Sequence, residues 1–214
     1  MRPAATAAPR VFGSAGGSLV GATWAANAAV ARVGRQAELR TAQVLERLAA
    51  EQDGPTVLHD LAIPIPNIRA NIDHVVVSGR RVLILDSKGW RPARYWSLGG
   101  MAFRGWRRFG HASGATPRMA VDGLTGYLRG RGVRARLMTP VVAVWPSSDR
   151  GRLSVALLSM AGCRVIRGEH LGRAVRRAVG LRPADPDIVD ALRRLLNVPA
   201  GRPRKPNPSA PRLR

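Results

Sequence analysis

Cysteine is nearly absent: Cys163 is the only one in 214 residues. A single thiol excludes an internal disulfide framework and any zinc site built on cysteine. Its apolar surroundings read as those of a small packed hydrophobe, and a reducing cytoplasmic location is compatible with it. Acidic residues are scarce as well, 13 against 35 Lys and Arg, which leaves a net charge of +22. That surplus points to a polyanionic partner, nucleic acid first and an anionic membrane surface second. The plain alternative is a composition that writes Arg wherever a cation is tolerated. Long apolar runs are missing too. The uncharged stretch from Val11 to Ala31 is mostly Ala and Gly, broken by Ser14, Ser18, Thr23 and Asn27. It is too weakly apolar for a membrane span. It reads as an Ala-rich helix or flexible lead-in rather than a signal segment, so stable membrane association is not expected.

Lysine is the other scarcity. Only Lys88 and Lys205 occur, and Lys205 lies in the Pro-rich basic tail. Where Arg is the default cation, a solitary Lys marks a position that the wide, always-charged guanidinium cannot fill.

What is present fits one folded unit with ragged ends. The hydrophobic fraction is 45%, ordinary for a globular domain. Gly34 to Ala50 has apolar residues at helical spacing, with Glu38 beside the stripe, and Gly54-Pro55 breaks the helix. Thr56 to Leu61 reads as a strand. Ile72 to Val77 and Arg81 to Asp86 read as a hairpin about Ser78-Gly79-Arg80. The run Val82-Leu83-Ile84-Leu85 predicts a strand buried on both faces. Gly89 to Gly114 is rich in Trp, Arg and Gly and predicts short strands or a long loop. A helix follows, with Thr116 as its cap and Pro117 at its first position. Met138 to Trp145 predicts a buried strand, Leu153 to Leu158 and Arg164 to Arg167 further strands. Glu169 to Val179 and Asp185 to Asn197 predict helices. The fold class is α/β with a mixed central sheet flanked by helices. The expected organisation is a lead-in over 1–33, helical or disordered, a domain over 34–198, and a disordered basic tail over 199–214.

Chemistry concentrates at four residues. Asp73 sits inside an apolar strand, where a carboxylate is costly unless paired or metal-bound. Asp86 ends the partner strand, and Lys88, two residues on, faces the same side. Glu38 adds a third carboxylate if its helix packs across that face. Carboxylate oxygens, waters and a phosphate oxygen suit a hard octahedral cation, Mg²⁺ or Mn²⁺. Lys88 then stabilises charge growing on a phosphate. A structural salt bridge between Asp86 and Lys88 is the competing reading. His74 faces away from Asp73, and both His59 and His74 are expected to be structural. Among the basic residues, Arg91 and Arg94 are the expected phosphate contacts. The 90–109 segment either stacks bases or packs on the sheet.

The segments Gly34-Arg-Gln-Ala-Glu38, Val57-Leu-His-Asp60, Asn71-Ile-Asp-His-Val-Val-Val77 and Asp86-Ser-Lys-Gly-Trp90 resemble the nuclease-related NERD domain, grouped with the PD-(D/E)XK nucleases. The resemblance implies a restriction-endonuclease-like core. It carries the family's helix Glu onto Glu38, its strand Asp onto Asp73, and its acid and Lys onto Asp86 and Lys88. Ala37 departs from the Gly usual before that Glu. The implied activity is metal-dependent phosphodiester cleavage, with DNA favoured and no small-molecule cofactor. The alternative is a non-catalytic nucleic-acid-binding module.

Overall fold

The computed structural model describes residues 9–17, 28–68 and 70–197. The elements run β1 (Val11–Phe12), α1 (Ala28–Ala49), β2 (Thr56–Ala62), β3 (Asn71–Ser78), β4 (Arg81–Trp90), β5 (Arg94–Leu98), β6 (Met101–Arg104) and β7 (Arg107–Arg108). There follow α2 (Ala115–Gly130), β8 (Arg136–Leu137), β9 (Val141–Pro146), β10 (Ser154–Leu157), β11 (Arg164–Arg167), α3 (Leu171–Val179) and α4 (Pro186–Arg193). The α/β expectation with a mixed central sheet holds. That sheet has the order β1-β2-β3-β4-β9-β11, with β8 added beside β4. It is antiparallel from β2 to β4 and parallel at β4–β9 and β9–β11.

Each element follows from its residues. In α1, Ala37, Thr41, Ala42, Leu45, Leu48 and Ala49 form the buried stripe, a spacing that lines one helical face. The helix begins at Ala28 rather than Gly34, because the Ala-rich lead-in has high helix propensity. Ahead of it, Val11 and Phe12 pair with Val57 and Leu58 as a short edge strand. This corrects the reading of the whole lead-in as helical or flexible. The interior of β4, Val82 to Leu85, is buried on both faces as the apolar run requires. Strand β9 starts only at Val141, since Pro140 has no N–H for a ladder. Helix α2 starts at Ala115 with Gly114 as its cap and no side-chain cap. The expected Thr116 cap is therefore corrected: Ser113 Oγ accepts from Ala115 N at 3.2 Å, one step earlier. Asp185 does cap α4, accepting from Asp187 N. The expected basic tail lies outside the described residues.

Two cores flank the sheet. Helices α1 and α3 cover Val57, Val76, Leu83, Leu85, Val141 and Ala143. Helices α2 and α4 cover Leu58, Val75, Val77, Val82 and Ile84. The Trp/Arg-rich segment folds as a second, four-stranded sheet of order β10-β5-β6-β7. Its inner side packs Tyr95 with Trp90, Val142 and Val144 in a third core. Among the described residues, no helix is long and apolar enough to cross a membrane.

Candidate active site at a fork in the sheet

The pairing of β3 with β4 stops at the rung His74–Leu85. Strand β4 continues beside β9 as far as Trp90–Pro146. The central sheet thus forks at Asp86, with Asp73 on the other prong, one residue past the last rung. Asp73 Oδ2 accepts from Ser87 N at 2.7 Å. The carboxylate replaces the strand carbonyl that this N–H would otherwise meet. Because β-strand side chains alternate, Lys88 projects with Asp86. Its Nζ donates to Asp86 Oδ1 at 2.9 Å and lies 2.8 Å from Oδ2. Both oxygens of the Asp86 carboxylate therefore lie against the Lys88 ammonium. Glu38 comes from α1, and its Oε2 accepts from Gly16 N at 3.0 Å. Gly16 has φ +71°, so the turn that aims this N–H at the carboxylate is one that glycine adopts without strain.

Helix α1 can approach the fork only because residue 89 is glycine. A Cβ there would lie 2.5 Å from Val33 Cγ1 and 2.8 Å from Val33 O. Next to Lys88, that close passage holds the helix carrying Glu38 against the prong carrying Asp86.

The four sequence-derived residues share one electrostatic neighbourhood. Burial raises Glu38 to about 7; the Gly16 N–H and Lys88 oppose the rise, and Asp60 and Asp86 add to it. Burial, then the charges of Asp86 and Glu38, hold Asp73 well above the ordinary carboxylate range. Burial opposes the charge on Lys88, but Asp86, Asp73 and Glu38 together keep it above an ordinary lysine. Lys88 is therefore an ammonium here and cannot serve as a base at neutral pH. The site carries more acidic groups than one lysine balances.

Asp60 was missed by sequence reasoning. It is buried in β2 with φ 56°, a conformation costing about 1–3 kcal/mol for a non-glycine residue unless its surroundings impose it. Here they do. Asn71 Nδ2 and Asn197 Nδ2 donate to its Oδ1 at 2.6 and 2.8 Å, and Asn197 N donates to its carbonyl at 3.0 Å. The sequence signals were an acid inside the run Val57 to Leu61 and its place in the resembling segment Val57-Leu-His-Asp60.

The histidines are structural, as expected. Beneath the site, on the α1 side of the sheet, His59 Nδ1 and His74 Nδ1 lie 2.7 Å apart, so one ring donates and the other accepts. His74 Nε2 meets Ser87 Oγ at 3.2 Å, and Ser87 Oγ donates to Thr41 Oγ1 at 2.8 Å. Trp145 Nε1 donates to the same Thr41 oxygen at 2.9 Å. Burial lowers His59 to about 4, and burial with its neighbour His59 lowers His74 well below the usual value, so both are neutral. The network ties β2, β3, β4, β9 and α1 together under the fork. Thr41→Val should remove the shared acceptor and strand the buried Ser87 hydroxyl and the half-buried Trp145 N–H, costing about 1–3 kcal/mol. Urea unfolding measures this, and an unchanged midpoint would show that the network does not brace the site.

Arg91 and Arg94 are exposed where β4 leads into β5. The structure brings Glu38, Asp73, Asp86 and Lys88 together and leaves these two arginines on the second sheet's side. Residues 33–129, somewhat under half of the chain, match the family described as NERD, nuclease-related domain. That segment is similar to the nuclease-related NERD domain. Its fold is consistent with a nuclease-like α/β core. The NERD match begins in α1 and ends in α2, so all four site residues lie inside it. Strands β8, β9 and β11, which complete the central sheet, lie after it. No curated protein and no solved structure matches the chain.

The donor chemistry suits a hard divalent cation. The groups are carboxylate oxygens, and burial together with neighbouring carboxylates raises both Glu38 and Asp73, a penalty that a bound cation would relieve. Among the described residues, no three Asp, Glu, His or Cys side chains already stand as a ready set of ligands. Lys88 holds the place beside Asp86 instead.

Proposed function

We propose that this protein is a cytoplasmic, metal-dependent phosphodiesterase acting on nucleic acid, with DNA endonuclease as its activity. The observation that carries the reading is the convergence of Glu38, Asp73, Asp86 and Lys88 at the sheet fork, each in the electric field of the others. Glu38, Asp73 and Asp86 would hold Mg²⁺ or Mn²⁺. A bound ion of this kind would polarise a phosphoryl oxygen as a Lewis acid and orient an attacking water. Lys88, held cationic by its neighbours, stabilises the charge that develops on the phosphate. Asp73 fixes the fork through the Ser87 N–H. Arg91 and Arg94 attract the substrate backbone without reading its sequence.

The Lys88–Asp86 ion pair favours a second reading, a nucleic-acid-binding module that satisfies its own charges and does not turn over. Purified protein incubated with supercoiled plasmid, with Mn²⁺ or with EDTA, separates the two. The nuclease reading expects nicking or linearisation with Mn²⁺ and none with EDTA. Plasmid retained in gel shifts but intact under both conditions supports the binding module.

A further inference from the structure

Among the described residues, no other element covers the outward face of the second sheet. Alternation along β5 puts Tyr95 inward, where it is 1% exposed, and Arg94, Trp96 and Leu98 outward. Register carries the same face across the strands. Trp96 is opposite Phe103 and Leu157, Leu98 is opposite Met101, and Phe103 is opposite Arg108. Trp96 and Phe103 stack with centroids 4.5 Å apart and rings inclined by 18°. Trp106, in the turn between β6 and β7, stands edge-on to Trp96 at 6.3 Å and 78°. It is 93% exposed. Gly105, at φ +57°, makes the tight turn that presents it. A tryptophan bared to water at a hairpin tip adds nothing to the fold's own packing.

Charge decides what this face fits. From Ser87 to Val121 the chain has no Asp or Glu, while Lys88, Arg91, Arg94, Arg104, Arg107, Arg108 and Arg118 fall in that span. Arg94 and Arg108 flank the aromatic rings on the same face. Flat π surfaces between guanidinium groups fit a ligand that alternates planar apolar rings with anionic links. That is a polynucleotide whose bases are free to stack. In a duplex the base faces are already covered by each other.

We propose that the outward face of the second sheet binds single-stranded nucleic acid, with bases stacking on Trp106 and Trp96 and phosphates held by Arg94 and Arg108. This rests on the nucleic-acid reading above and adds the form of substrate, a strand unpaired near the cleavage point. The face is separate from the carboxylate fork, so it works without metal.

The test is binding in EDTA, followed by tryptophan fluorescence and anisotropy, with dT15, rU15, a 15-base-pair duplex and phosphatidylglycerol vesicles. Trp106→Ala should weaken dT15 about tenfold, Trp106→Phe should keep most of the affinity, and duplex binding should change little. Because Trp106 packs so little, both variants should melt as the wild type does. A similar loss with rU15 would extend the proposal to RNA, and a loss confined to dT15 would restrict it to DNA. Unchanged dT15 binding by Trp106→Ala would overturn the proposal. So would vesicle binding that depends on Trp106 while dT15 binding does not, or a dimer in light scattering that the substitution dissolves. Cleavage is not read in this experiment, so a dead fork and a non-binding face give different results.

Discussion

Asp86→Asn should reduce Mn²⁺-dependent plasmid cleavage at least about a hundredfold while the protein stays folded. The substitution preserves shape and one oxygen but removes the charge that pairs with Lys88 at 2.8–2.9 Å. It also relieves repulsion with Asp73 and Glu38, since the Asp86 charge raises both of them. Loss of activity without loss of thermal stability is therefore the signature of a functional carboxylate rather than a structural ion pair. A purely structural pair would give the opposite pattern, because breaking it leaves a buried charge uncompensated. Lys88→Ala should lose activity to a similar degree. Lys88→Arg should not restore it, because the planar fork cannot occupy the volume of a compact ammonium. Both rates are read from initial nicking in gels beside the wild-type protein. Undiminished cleavage by Asp86→Asn would remove the fork from the chemistry altogether.

Glu38→Gln should stabilise the metal-free protein above neutral pH and abolish its response to Mn²⁺. Folding raises Glu38 from 4.5 to about 7, chiefly by burial. Between those two pH values the folded protein holds a proton that the unfolded chain has released. Stability contributed at this residue is thus fully kept below 4.5 and is lost as pH rises through 7. Gln keeps an acceptor for the Gly16 N–H and never ionises. The variant should match the wild type at pH 4.5 and exceed it at pH 8 by about 1–3 kcal/mol, after allowing for partial solvent screening. Mn²⁺ competes with the same proton, so its stabilisation of the wild type should appear only as pH approaches and passes 7. Thermal melts at three pH values, with Mn²⁺ and with EDTA, check both parts. A Glu38→Gln protein that melts below the wild type at pH 8 would show that this carboxylate is held for stability.

Much of this site is legible in the sequence. Carboxylates are expensive inside apolar strands, so Asp73 and Asp86 stood out against Ile72, Val75 and Leu85. Lys88 stood out because the rest of the domain writes its cations as Arg. The hairpin about Gly79 followed from short apolar runs on either side of a turn. Asp60 was not legible, because a positive φ held by Asn71 and Asn197 depends on a partner 137 positions away. Nor was the contact from Gly16 to Glu38, which joins a short edge strand's following turn to a helix. Residues 90–109 showed their composition but not their pairing. The face that Trp96 presents is fixed by its register with Phe103 and Leu157, and Leu157 belongs to a strand far along the chain.

Strand β4 owes one side of its hydrogen bonding to β8 and then β9, and β9 pairs with it from Leu85 to Trp90, past the point where β3 has left. That partner lies beyond residue 129, where the family match ends. A protein cut back to the matched segment would keep every acid of the fork and the lysine. It would also bare a long row of backbone donors and acceptors on the strand that carries Asp86 and Lys88, along which a foreign strand can zip. The smallest piece able to stay monomeric is therefore longer than the piece that bears the chemistry.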